Sequence, residues 1–186
     1  MTRWHALEPA DADFLASAPH IFCYRKRFAA SPEKVWESLV SDESLAAWSP
    51  MISDVTWTSP RPFGVGTTRD VTAPGGSVMR ERFFRWEDGR RKSFYVYESA
   101  MPVFKRFAED YLVEPAGSET LFTWTLALEA KPKFSLPVKA LAPCSRPASA
   151  GFRPVGRNTS PSSHDFVCRP DPLDGCHRSS GTGRVG

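Results

Sequence analysis

The chain lacks any apolar run approaching the ~20 residues that cross a bilayer, so no membrane span is expected. It also lacks a charge bias. Its 24 Lys and Arg against 21 Asp and Glu leave a formal +3, too small and too scattered for a nucleic-acid footprint. Cysteine is scarce where the sequence is most patterned: of four, only Cys23 falls there, the others being Cys144, Cys168 and Cys176. A disulfide framework would spread them through the fold, so nothing asks for an oxidising compartment. The N-terminus, Met1-Thr2-Arg3-Trp4-His5, is followed by Glu8, Asp11 and Asp13 and does not resemble a secretory signal. These absences point to a cytoplasmic protein. The 186 residues, 41% hydrophobic and 12% aromatic, suit one globular domain with an aromatic-rich interior.

What is present is an ordered run of elements. Residues 1–20 read as a loose arm with one helical turn after Asp11. Ile21 to Phe28 alternates as a strand. Ser31 is an N-cap, Pro32 takes the first helical position, and Glu33 complements the positive helix end. Val35, Trp36, Leu39 and Val40 then share one helical face. Ser41-Asp42-Glu43 opens a second short helix with Leu45 and Trp48 three apart, ended by Pro50. Strands follow at about 51–58, 66–73, 77–87, 91–100, 104–114 and 119–130, broken by turn chemistry such as Pro74-Gly75-Gly76, Asp88-Gly89 and Pro115-Ala116-Gly117. The connections are short, so neighbouring strands should be antiparallel.

The turns imply a register. A two-residue turn at Asp88-Gly89 sets Phe83 opposite Phe94 and Glu81 opposite Val96. A turn at Pro102-Val103 sets Phe94 opposite Tyr111 and Val96 opposite Glu109. A turn at Ala116-Gly117 sets Tyr111 opposite Phe122 and Glu109 opposite Trp124. One face then carries Met79, Phe83, Phe94, Val96, Phe107, Tyr111, Val113, Phe122, Trp124, Leu126 and Leu128. The other carries Arg80, Arg82, Tyr95, Tyr97, Asp110, Thr123 and Thr125, a solvated surface with a cross-strand charge pair. A one-residue error would turn every later side chain over.

Two carboxylates fall on the apolar face. Glu81 and Glu109 are expected on one rung, with Val96 between them, Trp124 beyond, and backbones roughly 10 Å apart. A carboxylate facing a core is costly unless bonded or paired. One reading makes the two polar handles in a ligand cavity. Another makes them an acid and base with raised pKa values. A third has them contacting trapped water or a backbone amide near the sheet edge.

Ala30-Ser31-Pro32-Glu33-Lys34-Val35-Trp36, then Trp48, then Phe63-Gly64-Val65-Gly66-Thr67 opening a strand, occur in a specific order. Glu81-Arg82-Phe83, Trp86 and Thr123-Trp124 follow. Over residues 20–135 the chain resembles the SRPBCC superfamily, the START-like helix-grip proteins that include polyketide cyclases/dehydrases and lipid-transfer proteins. The resemblance implies an α+β helix-grip fold, with a curved antiparallel sheet of about seven strands and two short helices after the first strand. It also implies a cavity between the sheet and a long C-terminal helix, holding an apolar or aromatic molecule. The superfamily has no universal catalytic residue, so the likeness implies a pocket and no particular reaction.

The closing helix departs from that pattern. Residues 134–142 begin one and Pro143 ends it, so the helix is expected to be truncated or absent. From Cys144 to Gly186 there is no Lys, Glu, Ile or Met, and one Leu, among abundant Arg, Pro, Ser and Gly. Such a segment buries too little apolar surface to offset chain entropy and is expected to be disordered. An out-of-frame reading of a GC-rich gene would produce this composition, and so would a natural extension. The expected organisation is an arm over 1–20, a ligand-binding domain over 21–143 and a tail over 144–186. Without its closing helix the domain is expected to expose an apolar face.

Weaker signals carry little. Gly64-Val65-Gly66 lacks the third glycine of a phosphate loop and reads as a turn. Arg90-Arg91-Lys92 beside a hairpin tip reads as solvated. His164, Cys168, Cys176 and His177 fit no common zinc spacing. No metal and no cofactor is expected. The leading expectation is a binder of a hydrophobic or aromatic small molecule, lipid or polyketide-like, through Trp48, Met79, Glu81, Phe83, Phe94, Val96, Phe107, Glu109, Tyr111 and Trp124. The alternatives are a cyclase/dehydratase-type enzyme using Glu81 and Glu109, and a protein-interaction module docking through the open sheet face.

Overall fold

The computed structural model describes residues 2–42, 49 and 52–134. The second short helix with Trp48, the closing segment 135–142 and the tail 144–186 lie outside the described residues. The elements are β1 (His5–Ala6), α1 (Ala12–Ser17), β2 (His20–Phe28), α2 (Pro32–Val40), β3 (Asp54–Trp57), β4 (Thr68–Ala73), β5 (Ser77–Glu87), β6 (Arg91–Ser99), β7 (Phe104–Ala116) and β8 (Glu119–Ala130). A 3-10 turn at Pro132–Phe134 follows. The sheet is curved, and its strands run in the order β2-β8-β7-β6-β5-β4-β3, with β1 added on β6. Every pairing is antiparallel. The first long strand therefore pairs with the last.

The helix α2 forms where Ser31, extended at the N-cap, hands over to Pro32, whose fixed φ suits the first turn. Ser31 makes no side-chain cap bond there. Val35, Trp36 and Leu39 form its buried stripe. They pack against Phe28, Val71, Phe83, Phe94, Tyr111, Val113 and Phe122 on the concave face of the sheet. Farther along the same face Leu7 packs on Val96, Phe107 and Leu128, with Met79 and Leu126 beside them.

The N-terminal residues, expected as a loose arm, are built into the sheet. Asp11 caps α1 by accepting a 3.0 Å bond from the Phe14 amide. Phe14 and Leu15 then bury themselves on the convex face against Ala108 and Ala127, with Phe84 and Tyr95 alongside. That face is thus partly covered rather than wholly solvated. Just before α1, the amide of Leu7 bonds the Tyr97 carbonyl at 2.9 Å, and the amide of Glu8 bonds the Lys105 carbonyl at 2.9 Å. The chain's start is wedged between the end of β6 and the beginning of β7.

That wedge corrects the expected register. Phe94 faces Glu109, not Tyr111, and the paired stretch of β6 and β7 ends at Tyr95 opposite Ala108. Beyond it, Glu98 and Ser99 pair with β1 instead. In the last hairpin Ala116 faces Glu119, so Gly117-Ser118 makes the turn, with Gly117 at a φ of 72° that favours glycine. Tyr111 consequently faces Trp124. Both slips are of two residues, which moves partners along the strand and leaves each side chain on its face. In the hairpin of β5 and β6, Phe83 opposite Phe94 and Glu81 opposite Val96 are as expected. They stand because a bulge beside Phe84 offsets a turn one residue longer than two, from Glu87 to Arg91.

Candidate functional site

Four acidic or basic side chains from four strands are buried on the concave face among the described residues: Arg69 of β4, Glu81 of β5, Lys92 of β6 and Glu109 of β7. Strand alternation puts them there. Arg69 has the parity of Val71, Glu81 that of Phe83, Lys92 that of Phe94, and Glu109 that of Tyr111. Arg69 faces Glu81 across the ladder, and its Nε donates to Glu81 Oε2 at 2.6 Å. The guanidinium lies over three rings, 4.7 Å from the centre of Phe94, 5.2 Å from Phe83 and 5.3 Å from Trp57. Its Nη1 and Nη2 are buried without a hydrogen-bond partner.

Lys92, expected as a solvated turn residue, is 0% exposed and donates from Nζ to the Leu39 carbonyl at 2.5 Å. It stands 5.5 to 5.9 Å from the ring centres of Trp36, Trp57, Phe83, Trp86 and Tyr111. Burial first, and the Arg69 cation second, push its pKa well below that of a free lysine. Burial is the largest influence on Arg69 and disfavours its charge, but Glu81, Tyr111 and Glu109 together raise its pKa, so the guanidinium stays protonated. The Glu81 carboxyl is pushed up by burial and pulled back by Arg69.

Glu109 has a different setting. Its Oε2 accepts the Tyr111 hydroxyl at 2.8 Å and the Trp124 indole N–H at 2.9 Å. Burial, then the charge of Glu81, raises its pKa to about 8, so it holds its proton at neutral pH. Burial and Glu109 together push the Tyr111 phenol well above its ordinary value. A carboxyl that keeps its proton and sits between two donors can hold a hydrogen bond to a polar ligand group, or pass a proton to it.

The structure brings most of the expected residues to one face. Phe83, Phe94 and Tyr111 lie beneath α2, Val96 and Phe107 lie around Leu7 with Met79 packed beside them, and Trp124 is half-buried between β7 and β2. Glu81 and Glu109 do not share a rung: Glu81 faces Val96, whereas Glu109 faces Phe94 and Leu126. Arg69 and Lys92 were missed from sequence, although the parity of each was readable from Val71 and Phe94. A cleft of about 490 Å³ beyond β8 is lined by Pro102, Lys131, Pro132, Lys133 and Phe134, and none of the expected residues lines it. Among the described residues no group of His, Cys, Asp and Glu is arranged to hold a metal ion. None of their helices is long and apolar enough to cross a membrane.

Comparison with known proteins agrees with this geometry. The family described as polyketide cyclase / dehydrase and lipid transport matches residues 20–148. An uncharacterized protein of Mycobacterium tuberculosis is 36% identical over 148 residues, which make up 80% of this chain and 82% of that protein. An uncharacterized protein of Mycobacterium bovis matches to the same extent. Among solved structures, a START superfamily protein from Mycobacterium smegmatis superposes with a TM-score of 0.55 at 19% identity, over 66% of this chain and 86% of that one. Norcoclaurine synthase from Thalictrum flavum gives 0.52 at 17% identity, over 74% and 86%. These two show the shared fold.

Proposed function

The chain belongs to the polyketide cyclase/dehydrase and lipid-transport family of the SRPBCC superfamily, and on that premise we propose that it binds a hydrophobic or aromatic small molecule against the concave face of its sheet. The observation that carries this reading is an aromatic and aliphatic wall interrupted by a few buried polar groups, Arg69, Glu81, Lys92 and Glu109. Small-molecule sites have that composition: apolar area supplies the affinity and a few placed polar atoms fix the orientation. In this proposal Met79, Phe83, Phe94, Val96, Phe107, Tyr111 and Trp124 form the wall. Glu81 and Glu109 are its polar handles. A cytoplasmic setting belongs to the proposal, in keeping with the exposed free thiol of Cys23.

A thermal-shift screen of the full chain against lipids and aromatic polyketides tests it. A ligand at a hundred times its Kd adds ~2.7 kcal/mol of stability and should raise the melting temperature clearly. A panel that leaves the melting temperature unchanged throughout would overturn the proposal.

The raised pKa of Glu109 favours one second reading, proton transfer on a bound substrate in the manner of a cyclase or dehydratase. Turnover of a polyketide-like substrate should then fall in Glu109→Gln by about 100-fold or more. An unchanged rate would remove the catalytic role and leave binding intact.

A further inference from the structure

Arg69 is the one side chain among the described residues whose charged end is buried with nitrogen atoms lacking a partner. It is 0% exposed, and only its Nε is bonded, to Glu81. Folded proteins pair almost all such groups, because each orphan forfeits the hydrogen bonds it had in water. The edge left unbonded is the Nη1/Nη2 edge, whose parallel N–H groups match the two oxygens of a carboxylate. The guanidinium carbon lies over three aromatic rings, which attract the cation but supply no oxygen acceptor for its free N–H groups.

We infer that Arg69 is the anchor for a carboxylate, and that the ligand is an apolar or aromatic monocarboxylic acid whose hydrocarbon body lies along the concave face toward β8 and β2. This rests on the ligand-binding proposal above and adds the ligand's chemical class.

The surroundings favour this assignment. Fully buried residues flank Arg69 on β4, β5 and β6, so an anion there meets little competition from water. Glu109 keeps its proton to about pH 8 and adds no opposing negative charge at neutral pH. Toward the other side of the same face, Phe22, Tyr24, Trp124 and Leu126 are only half-buried and offer apolar area still open to a guest. A singly charged carboxylate fits the site better than a phosphate, because Glu81 already holds one negative charge on the same guanidinium.

Calorimetric titration of the full chain with dodecanoate, methyl dodecanoate and dodecyl phosphate tests the inference. Dodecanoate should bind about 10- to 100-fold more tightly than its ester, the range expected for a charge-assisted pair. In Arg69→Lys, which keeps the charge and loses the fork, the ratio should fall several-fold, and an unchanged ratio would show that the two-pronged contact is not made. The double variant Arg69→Met with Glu81→Met removes both charges together, so it retains a folded protein in which to repeat the measurement. Equal binding of acid and ester to the native chain would overturn the carboxylate anchor while leaving the binding proposal standing, and trapped water would then satisfy Arg69. Tighter binding of dodecyl phosphate than of dodecanoate would also overturn it. Binding of none of the three probes would overturn the acid assignment, and the lipid and polyketide screen then judges the wider proposal separately.

Discussion

On the convex face Asp110 is 5% exposed, accepts 2.9 Å and 2.5 Å bonds from Arg91 Nε and Ser93 Oγ, and has Arg85 at 4.0 Å. On the concave face Arg69 is more deeply buried and has one bonded partner, with two nitrogens left over. Both sites put charge inside the same sheet, yet one is complete and the other is not. A complete network holds strands together and needs nothing from outside. An incomplete one in an apolar setting carries a standing cost that a ligand can relieve. The difference separates structural burial of charge from burial that awaits a guest.

Glu81→Met should produce the largest effect, because it strands the Arg69 cation without its only bonded partner. We expect a loss of about 3–5 kcal/mol in urea unfolding, recovered when Arg69→Met is added. If the single variant is as stable as the parent, Arg69 has another partner and the contrast between the faces fails. Next, Asp110→Ala should cost about 1–3 kcal/mol while leaving ligand affinity unchanged, since its bonds serve only the convex face. A parallel loss of affinity would show that the faces are not separable.

A pH dependence set by Glu109 rivals the first effect in total, but it is spread over more than three pH units and is small across any one of them. Its folded pKa of about 8 lies above the ordinary 4.5. Below 4.5 the group is neutral in both folded and unfolded chains. Between 4.5 and 8 only the unfolded chain ionises, so stability falls by up to about 1.4 kcal/mol per pH unit and levels off above 8. Urea midpoints across this range should show that slope in the parent and lose it in Glu109→Gln. The smallest effect belongs to Trp124→Phe, which removes one donor to Glu109 and should cost about 1 kcal/mol. Because that donor favours the ionised carboxyl, the sloping range should also extend to higher pH.

The division into two faces was legible in the sequence, whereas the charged groups that distinguish them were not, and the unread part has definite physical causes. Alternation assigned Phe83, Phe94, Val96, Phe107, Tyr111 and Trp124 to one face, and two-residue slips could not undo that. The pairing of β6 with β7 was misplaced because His5 to Glu8 occupies the space where the two strands were expected to meet. Nothing in a run beginning Met1-Thr2-Arg3-Trp4 marks it as a strand. Lys92 was hidden by its neighbours: after Arg90 and Arg91 it looks like one more solvated charge, although it shares the parity of Phe94. Arg69 stands between Thr68 and Asp70 in a strand of few apolar residues, so composition concealed what parity with Val71 indicated.

The most direct test of a guest-holding concave face is methyl NMR of the full chain titrated with dodecanoate. The methyl groups of Val71, Val96, Leu126 and Leu128 line that face, while those of Ala108 and Ala127 line the other under α1. The account predicts saturable shifts in the first group and unmoved signals in the second. Shifts centred on Ala108 and Ala127, with the first group unmoved, would contradict it.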